Sequence, residues 1–150
     1  MKNKGMYLEY IINKTIVHYV INEIAWFEKK MTPIKIGKDS EVHYLRSTTD
    51  FYGLYKGRYV SIEAKSFNGN TLKTSNIKKH QAKHLEMIAK HGGLAYYIIY
   101  SDSLDEYYLL KSSALYAANL KSYSTEWLKK NSRVLTLEFP GIIDFIKFIN

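Results

Sequence analysis

The spacing of apolar residues changes several times along the chain, and each change marks an element. Between Met6 and Asn22, Leu8, Ile11, Ile12, Ile16, Tyr19 and Val20 recur at helical intervals, which predicts an opening helix with one buried stripe. Glu23 to Phe27 predicts a first strand, and from Ile34 to Arg46 the periodicity is weak around a turn at Gly37-Lys38-Asp39-Ser40. The run S-T-T-D-F-Y-G-L-Y-K-G-R-Y-V-S-I-E-A-K, from Ser47 to Lys65, then alternates with period two about Lys56-Gly57 and predicts a tight hairpin. A helix from an Asn76 cap to about Lys90 follows, with the stripe Ile77, Gln81, Leu85 and Ile88 and a stop at Gly92-Gly93. Leu94 to Tyr100 is apolar throughout, as in a strand covered on both faces. Glu106 to Leu110 predicts a further strand, Ser113 to Asn119 a short helix, Arg133 to Glu138 a last strand and Ile142 to Ile149 a closing helix. The sum is an α/β domain with a mixed central sheet and helices packed on it.

The hairpin carries the chemistry. A turn at Lys56-Gly57 pairs Tyr55 with Arg58, and counting outward brings Asp50 opposite Glu63. Phe51, Tyr55, Val60, Ile62 and Ala64 form its core face, while Asp50, Glu63 and Lys65 share the other face with Tyr52 and Tyr59. Like charges directly opposed across a ladder destabilise it, so a compensating group is expected. A divalent cation with oxygen ligands fits, Mg²⁺ first and Mn²⁺ as a substitute, with Lys65 in reach of a phosphate or an attacking water. A bulge at Gly53 would put the two carboxylates on opposite faces.

Composition narrows the classes. The 150 residues include no cysteine, which excludes disulfides, thiolate catalysis and cysteine-bound zinc. No apolar run approaches the roughly 20 residues of a membrane span, and the expectation is a soluble, cytoplasmic protein that does not engage a membrane. The formal charge is +8, and residues 1–90 carry 16 Lys and Arg against 8 Asp and Glu whereas residues 91–150 carry 6 of each. The excess positive charge therefore lies in the part holding the hairpin, as suits a polyanion-binding surface with nucleic acid as the leading ligand. A merely solvated basic face would have the same composition. Lys29, Lys30, Lys35, Arg46, Arg58, Lys78 and Lys79 are the expected phosphate contacts, and Gln81 is a polar break in an apolar helix face. His80 and His84 have a helical zinc spacing but lack the glutamate of H-E-x-x-H.

The Ser47–Lys65 run, together with the HQ at His80-Gln81, Gly92-Gly93, G-M-Y-L-E at Gly5 to Glu9 and K-K-M-T-P at Lys29 to Pro33, resembles the RecU family of Holliday junction resolvases. That family belongs to the PD-(D/E)XK nuclease superfamily. The resemblance implies a restriction-endonuclease-like fold in one nuclease domain spanning 1–150, with a shortened stalk-like insertion at about 34–46. It implies a metal site of Asp50, Glu63 and the Ala64 carbonyl, catalysis by these carboxylates with Lys65 and Gln81, and an acidic residue on the first helix, Glu9, pointing toward the metal. It further implies a homodimer that nicks four-way DNA junctions symmetrically in recombination and repair, with a strand-exchange recombinase among its partner proteins. Against that resemblance, Ser61 stands where relatives often have an acidic residue, and the family's longer basic N-terminal arm is expected to be lacking. Two other readings of the same residues are a general PD-(D/E)XK endonuclease on duplex DNA and a catalytically silent DNA-binding module.

Overall fold

The computed structural model describes residues 4–44 and 49–149. In chain order the elements are α1 (Lys4–Ile21), β1 (Trp26–Lys29), β2 (Ile34–Ile36), β3 (Val42–Tyr44), β4 (Phe51–Tyr55), β5 (Arg58–Phe67) and β6 (Thr71–Lys73). They continue with α2 (Lys79–Lys90), β7 (Leu94–Ser101), β8 (Glu106–Lys111), α3 (Ser112–Ala118), β9 (Ser122–Ser124), α4 (Thr125–Asn131), β10 (Arg133–Leu135), β11 (Leu137–Glu138) and β12 (Ile142–Ile143). Six strands form the central sheet in the order β1-β4-β5-β7-β8-β10, parallel at β5–β7 and antiparallel elsewhere.

The sheet divides two cores. On one face, Leu8, Ile12, Ile16 and Tyr19 of α1 pack on Phe51, Val60, Ile62, Tyr96 and Ile98, joined by Phe145 and Ile146 from the C-terminal segment. On the other, Leu85 of α2, Leu115 of α3 and Leu128 of α4 pack on Tyr97, Ile99, Tyr108 and Leu110. All eight residues of β7 are buried, as its unbroken apolar run requires.

The hairpin has the expected register. Tyr55 pairs with Arg58 and Phe51 with Ile62, around Lys56 and Gly57 at φ +48° and +77°, the left-handed pair that a two-residue turn needs. No bulge interrupts it, because Gly53 pairs with Val60 and also with Phe27 of β1. Gly53 is there for room: a Cβ would lie 2.2 Å from the Trp26 carbonyl oxygen and 2.5 Å from the Phe27 ring. A Gly53→Ala variant is expected to lose about 1–3 kcal/mol of stability, read as a lowered denaturation midpoint.

Several boundaries differ from the sequence reading. Ile142–Ile149 is not a helix but β12 followed by a single 3-10 turn, Ile146–Phe148. Two of its backbone donors are taken by α1 side chains, with Ile143 N–H donating to Thr15 Oγ1 at 3.0 Å and Ile146 N–H to the Tyr19 hydroxyl at 3.0 Å. Asn76 does not cap α2; it lies in a 3-10 turn, and the helix starts after Lys78. The first strand starts at Trp26 because Glu23 turns the chain at φ +55° and Ile24 N–H returns to the Tyr19 carbonyl. The weakly periodic 34–46 segment contains the β2–β3 hairpin, with Lys35 opposite His43. Also unforeseen were β9 and α4, whose first turn is capped by Ser124 Oγ accepting from Trp127 N–H at 3.1 Å.

Candidate active site

The hairpin register and α2 bring four polar side chains together. Asp50 precedes β4, its N–H donating to the Ile62 carbonyl at 3.2 Å, while its Oδ2 accepts the Ala64 N–H at 2.8 Å. That second bond ties Asp50 across the ladder to the residue after Glu63. Glu63 and Lys65 alternate with the core residue Ile62 and so face α2. Lys65 Nζ lies 3.6 Å from Glu63 Oε1 and donates to Gln81 Oε1 at 2.9 Å. Gln81, itself buried in the first turn of α2, is thus a polar contact between that helix and β5.

Glu63 is 1% exposed, and its Oε2 is buried with no hydrogen-bond partner. Burial pushes its carboxyl pKa up from the ordinary 4.5 to about 9, and the negative charge of Asp50 adds to the rise while Lys65 opposes it. Tyr97, beside Glu63 in the β5–β7 ladder, is equally enclosed, its hydroxyl pKa raised first by burial and then by the Glu63 charge. An acid this deep, next to a second acid and with one oxygen unsatisfied, has the donor chemistry of a hard-cation site. Asp50, Glu63 and backbone oxygen of the Ala64 segment fit a divalent cation on that ground.

A buried hydroxyl pair supports Asp50 from behind. Ser61 Oγ donates to Thr49 Oγ1 at 2.8 Å, and the Thr49 hydroxyl reaches the Ile62 carbonyl at 2.9 Å, pinning the residue before Asp50 to β5. In the sequence Ser61 stands out only as a departure from relatives, and its partner Thr49 carries no local signal. The sequence marks His84 only by its helical zinc spacing from His80. His84 sits on α2 with Nε2 buried and unpartnered, and its pKa is lowered by burial and then by the charge of Lys30. Lys30 in turn donates its N–H to the Asp50 carbonyl at 2.8 Å.

The other expected residues scatter around this centre. Glu9 turns to Lys29, with its carboxylate 3.3 Å from the ammonium. Among the described residues no three carboxylate or histidine side chains gather closely enough to hold a metal, so Glu9 does not complete a triad with Asp50 and Glu63. Arg58 donates to the Gly92 carbonyl at 3.2 Å, fastening the hairpin turn to the end of α2. Lys35, Lys78 and Lys79 are exposed, and Arg46 lies outside the described residues. No described helix is long and apolar enough to cross a membrane.

The sequence model of the family described as Recombination protein U matches residues 3–150, nearly the whole chain. The chain belongs to the RecU family. A RecU protein of Mycoplasmopsis pulmonis, named Holliday junction resolvase RecU, is 44% identical over 149 residues, covering 99% of this chain and 94% of that protein. The Bacillus cereus protein of the same name is 31% identical over 167 aligned positions, covering 99% of this chain and 84% of that one. Among solved structures, Hjc of Archaeoglobus fulgidus, described as a Holliday junction resolvase, superposes with a TM-score of 0.55 at 12% identity, over 84% of this chain and 93% of the other. The RecU chain therefore has the PD-(D/E)XK nuclease fold expected from its motifs, with a mixed central sheet between helical layers.

Proposed function

We propose that this RecU-family protein is a Holliday junction resolvase, an endodeoxyribonuclease that makes paired symmetric nicks in four-way DNA by divalent-metal-dependent hydrolysis. The observation that carries the chemistry is the orphaned, buried Glu63 carboxylate beside Asp50, within reach of Lys65. The junction substrate is supported by two relatives of nearly full length whose names state it.

In this reading Asp50 and Glu63, with the Ala64 carbonyl, hold Mg²⁺, with Mn²⁺ as a substitute. When bound, the cation supplies Lewis-acid polarisation of the scissile phosphate and lowers the pKa of a nearby water. The protein supplies position and charge. The Ala64 N–H fixes Asp50, and Gln81 holds the Lys65 ammonium over the carboxylates, where it steadies the attacking water or the charge growing on the phosphate. Gln81 also aligns the phosphate, and Glu9 serves by keeping Lys29 in place at the sheet edge. Lys29, Lys30, Lys35, Arg46, Arg58, Lys78 and Lys79 contact flanking phosphates. The single nuclease domain spans the chain, and its stalk-like insertion is the β2–β3 hairpin. A homodimer places two sites with the two-fold symmetry of the junction.

The test compares a labelled four-way junction with linear duplex of the same sequence, in Mg²⁺ and in a chelator. Metal-dependent nicks at symmetric positions in the junction, and at least about tenfold slower cleavage of the duplex, are expected, one order of magnitude being about 1.4 kcal/mol of discrimination. Equal cleavage of both would make it a general endonuclease.

A further inference from the structure

The sheet face that carries Glu63 continues past the catalytic residues as an open aromatic surface. Tyr52 follows Asp50, which is tied to the Ala64 N–H, by two residues, and it is paired with Ser61, which precedes Glu63 by two. An advance of two residues along a strand is about 7 Å, so the Tyr52 ring begins where the carboxylate pair ends. Tyr59 stacks on it with ring centroids 6.3 Å apart and planes 21° apart, and Trp26 of β1 meets its other side edge-on at 5.9 Å. The three rings form a ladder across β1, β4 and β5. Trp26 is 49% exposed and Tyr59 39%, with Leu54 beside them 49% exposed, although a sheet face of this composition is normally covered.

Two features make the ladder a platform of fixed rings. The Tyr52 hydroxyl donates to the Glu28 carboxylate, its cross-strand neighbour on β1, which holds the ring and raises the hydroxyl pKa. Lys30 adjoins the Asp50 end of the strip, its N–H donating to the Asp50 carbonyl, while at the turn end Lys56 lies over the Tyr55 ring and Arg58 donates to the Gly92 carbonyl. Exposed rings in line with a phosphate-handling centre, with a lysine at its near end, have the chemistry of a surface for a strand whose bases are unstacked.

We propose that Trp26, Tyr52 and Tyr59 stack on bases exposed at the branch point of the DNA while the adjoining phosphate occupies the Asp50–Glu63 centre. This inference rests on the nuclease reading and adds how the branch is held. Duplex arms keep their bases stacked and give the ladder nothing to grip. The ladder thereby favours branched over continuous DNA, a preference that the carboxylates cannot supply.

The test is a double-mutant cycle on binding, measured by fluorescence anisotropy in an Asp50→Asn background so that no cleavage intervenes. One junction is intact, and the other carries abasic nucleotides at the branch point. Tyr52→Leu is expected to weaken binding to the intact junction about tenfold, given typical base–aromatic stacking. The abasic junction should bind the parent about tenfold more weakly, and Tyr52→Leu should cost nothing further on it. Tyr52→Phe, which keeps the ring and gives up only the Glu28 bond, should stay within about twofold of the parent on both junctions, consistent with stacking independent of the hydroxyl. Trp26→Leu repeats the cycle at a position remote from the carboxylates. Unchanged binding of the intact junction by the leucine variants would overturn the proposal. So would an equal loss on intact and abasic junctions, or a change of oligomeric state in sedimentation, which would make the face a contact between copies. Failure of the nuclease reading shows separately, as the absence of metal-dependent nicking of any DNA by the protein with Asp50 intact.

Discussion

A Glu63→Gln variant is expected to lose metal-dependent nicking by about a thousandfold or more, since a catalytic cation is worth several kcal/mol of transition-state stabilisation. The same variant should be more stable than the wild type above neutral pH in the absence of metal. Glu63 in the folded protein holds its proton up to about pH 9, whereas in the unfolded chain it is lost near the ordinary 4.5. Between those values the folded state binds more protons than the unfolded state, so wild-type stability falls as pH rises, and glutamine removes that dependence. His84 shifts in the opposite sense below its ordinary 6.5, which makes pH 7 to 9 the clean window. Across it the stability gap between variant and wild type should widen by about 1–3 kcal/mol, or at least about 3 °C in Tm. A constant gap would mean that Glu63 is already ionised in the folded metal-free protein.

Replacing Lys65 should separate chemistry from binding. Lys65→Met is expected to reduce nicking by about 10²–10³-fold while leaving junction affinity within about threefold, because its ammonium faces Glu63 and Gln81 inside the site. Lys65→Arg should not restore the rate. The side chain is 15% exposed and ends between one amide oxygen and one carboxylate, a space suited to a compact ammonium and unsuited to a planar guanidinium. A parallel loss of affinity and rate would instead make Lys65 a phosphate anchor.

The legible parts of this protein are those where a local pattern has one physical solution. The tight turn at Lys56-Gly57 fixes the β4–β5 register, and the register alone brings Asp50 and Glu63 together. The unbroken apolar run of β7 admits only a central strand. What failed depended on long-range partners. The C-terminal segment has a helix-like apolar spacing, yet Thr15 and Tyr19 of α1 claim two of its backbone donors from more than a hundred residues away. The ion pair of Glu9 with Lys29 on the neighbouring strand likewise joins residues twenty apart and has no local signal. Thr49 gave no signal, because its importance comes from a hydroxyl 12 residues along the chain that only the folded hairpin places beside it. The aromatic face was half visible, with Tyr52 and Tyr59 on the carboxylate side, while Trp26 joins them only through the β1–β4 pairing.

The most direct test of the account is calorimetric titration of Mn²⁺ into the DNA-free protein at pH 7.5, in two buffers of different ionisation enthalpy. A cation that takes Glu63 must displace the proton which burial and Asp50 hold there up to about pH 9. The wild type should therefore release close to one proton for each ion bound, and Asp50→Asn should bind far more weakly. Equal Mn²⁺ binding by the two proteins, with no proton released, would contradict the assignment of the metal to the Asp50–Glu63 pair.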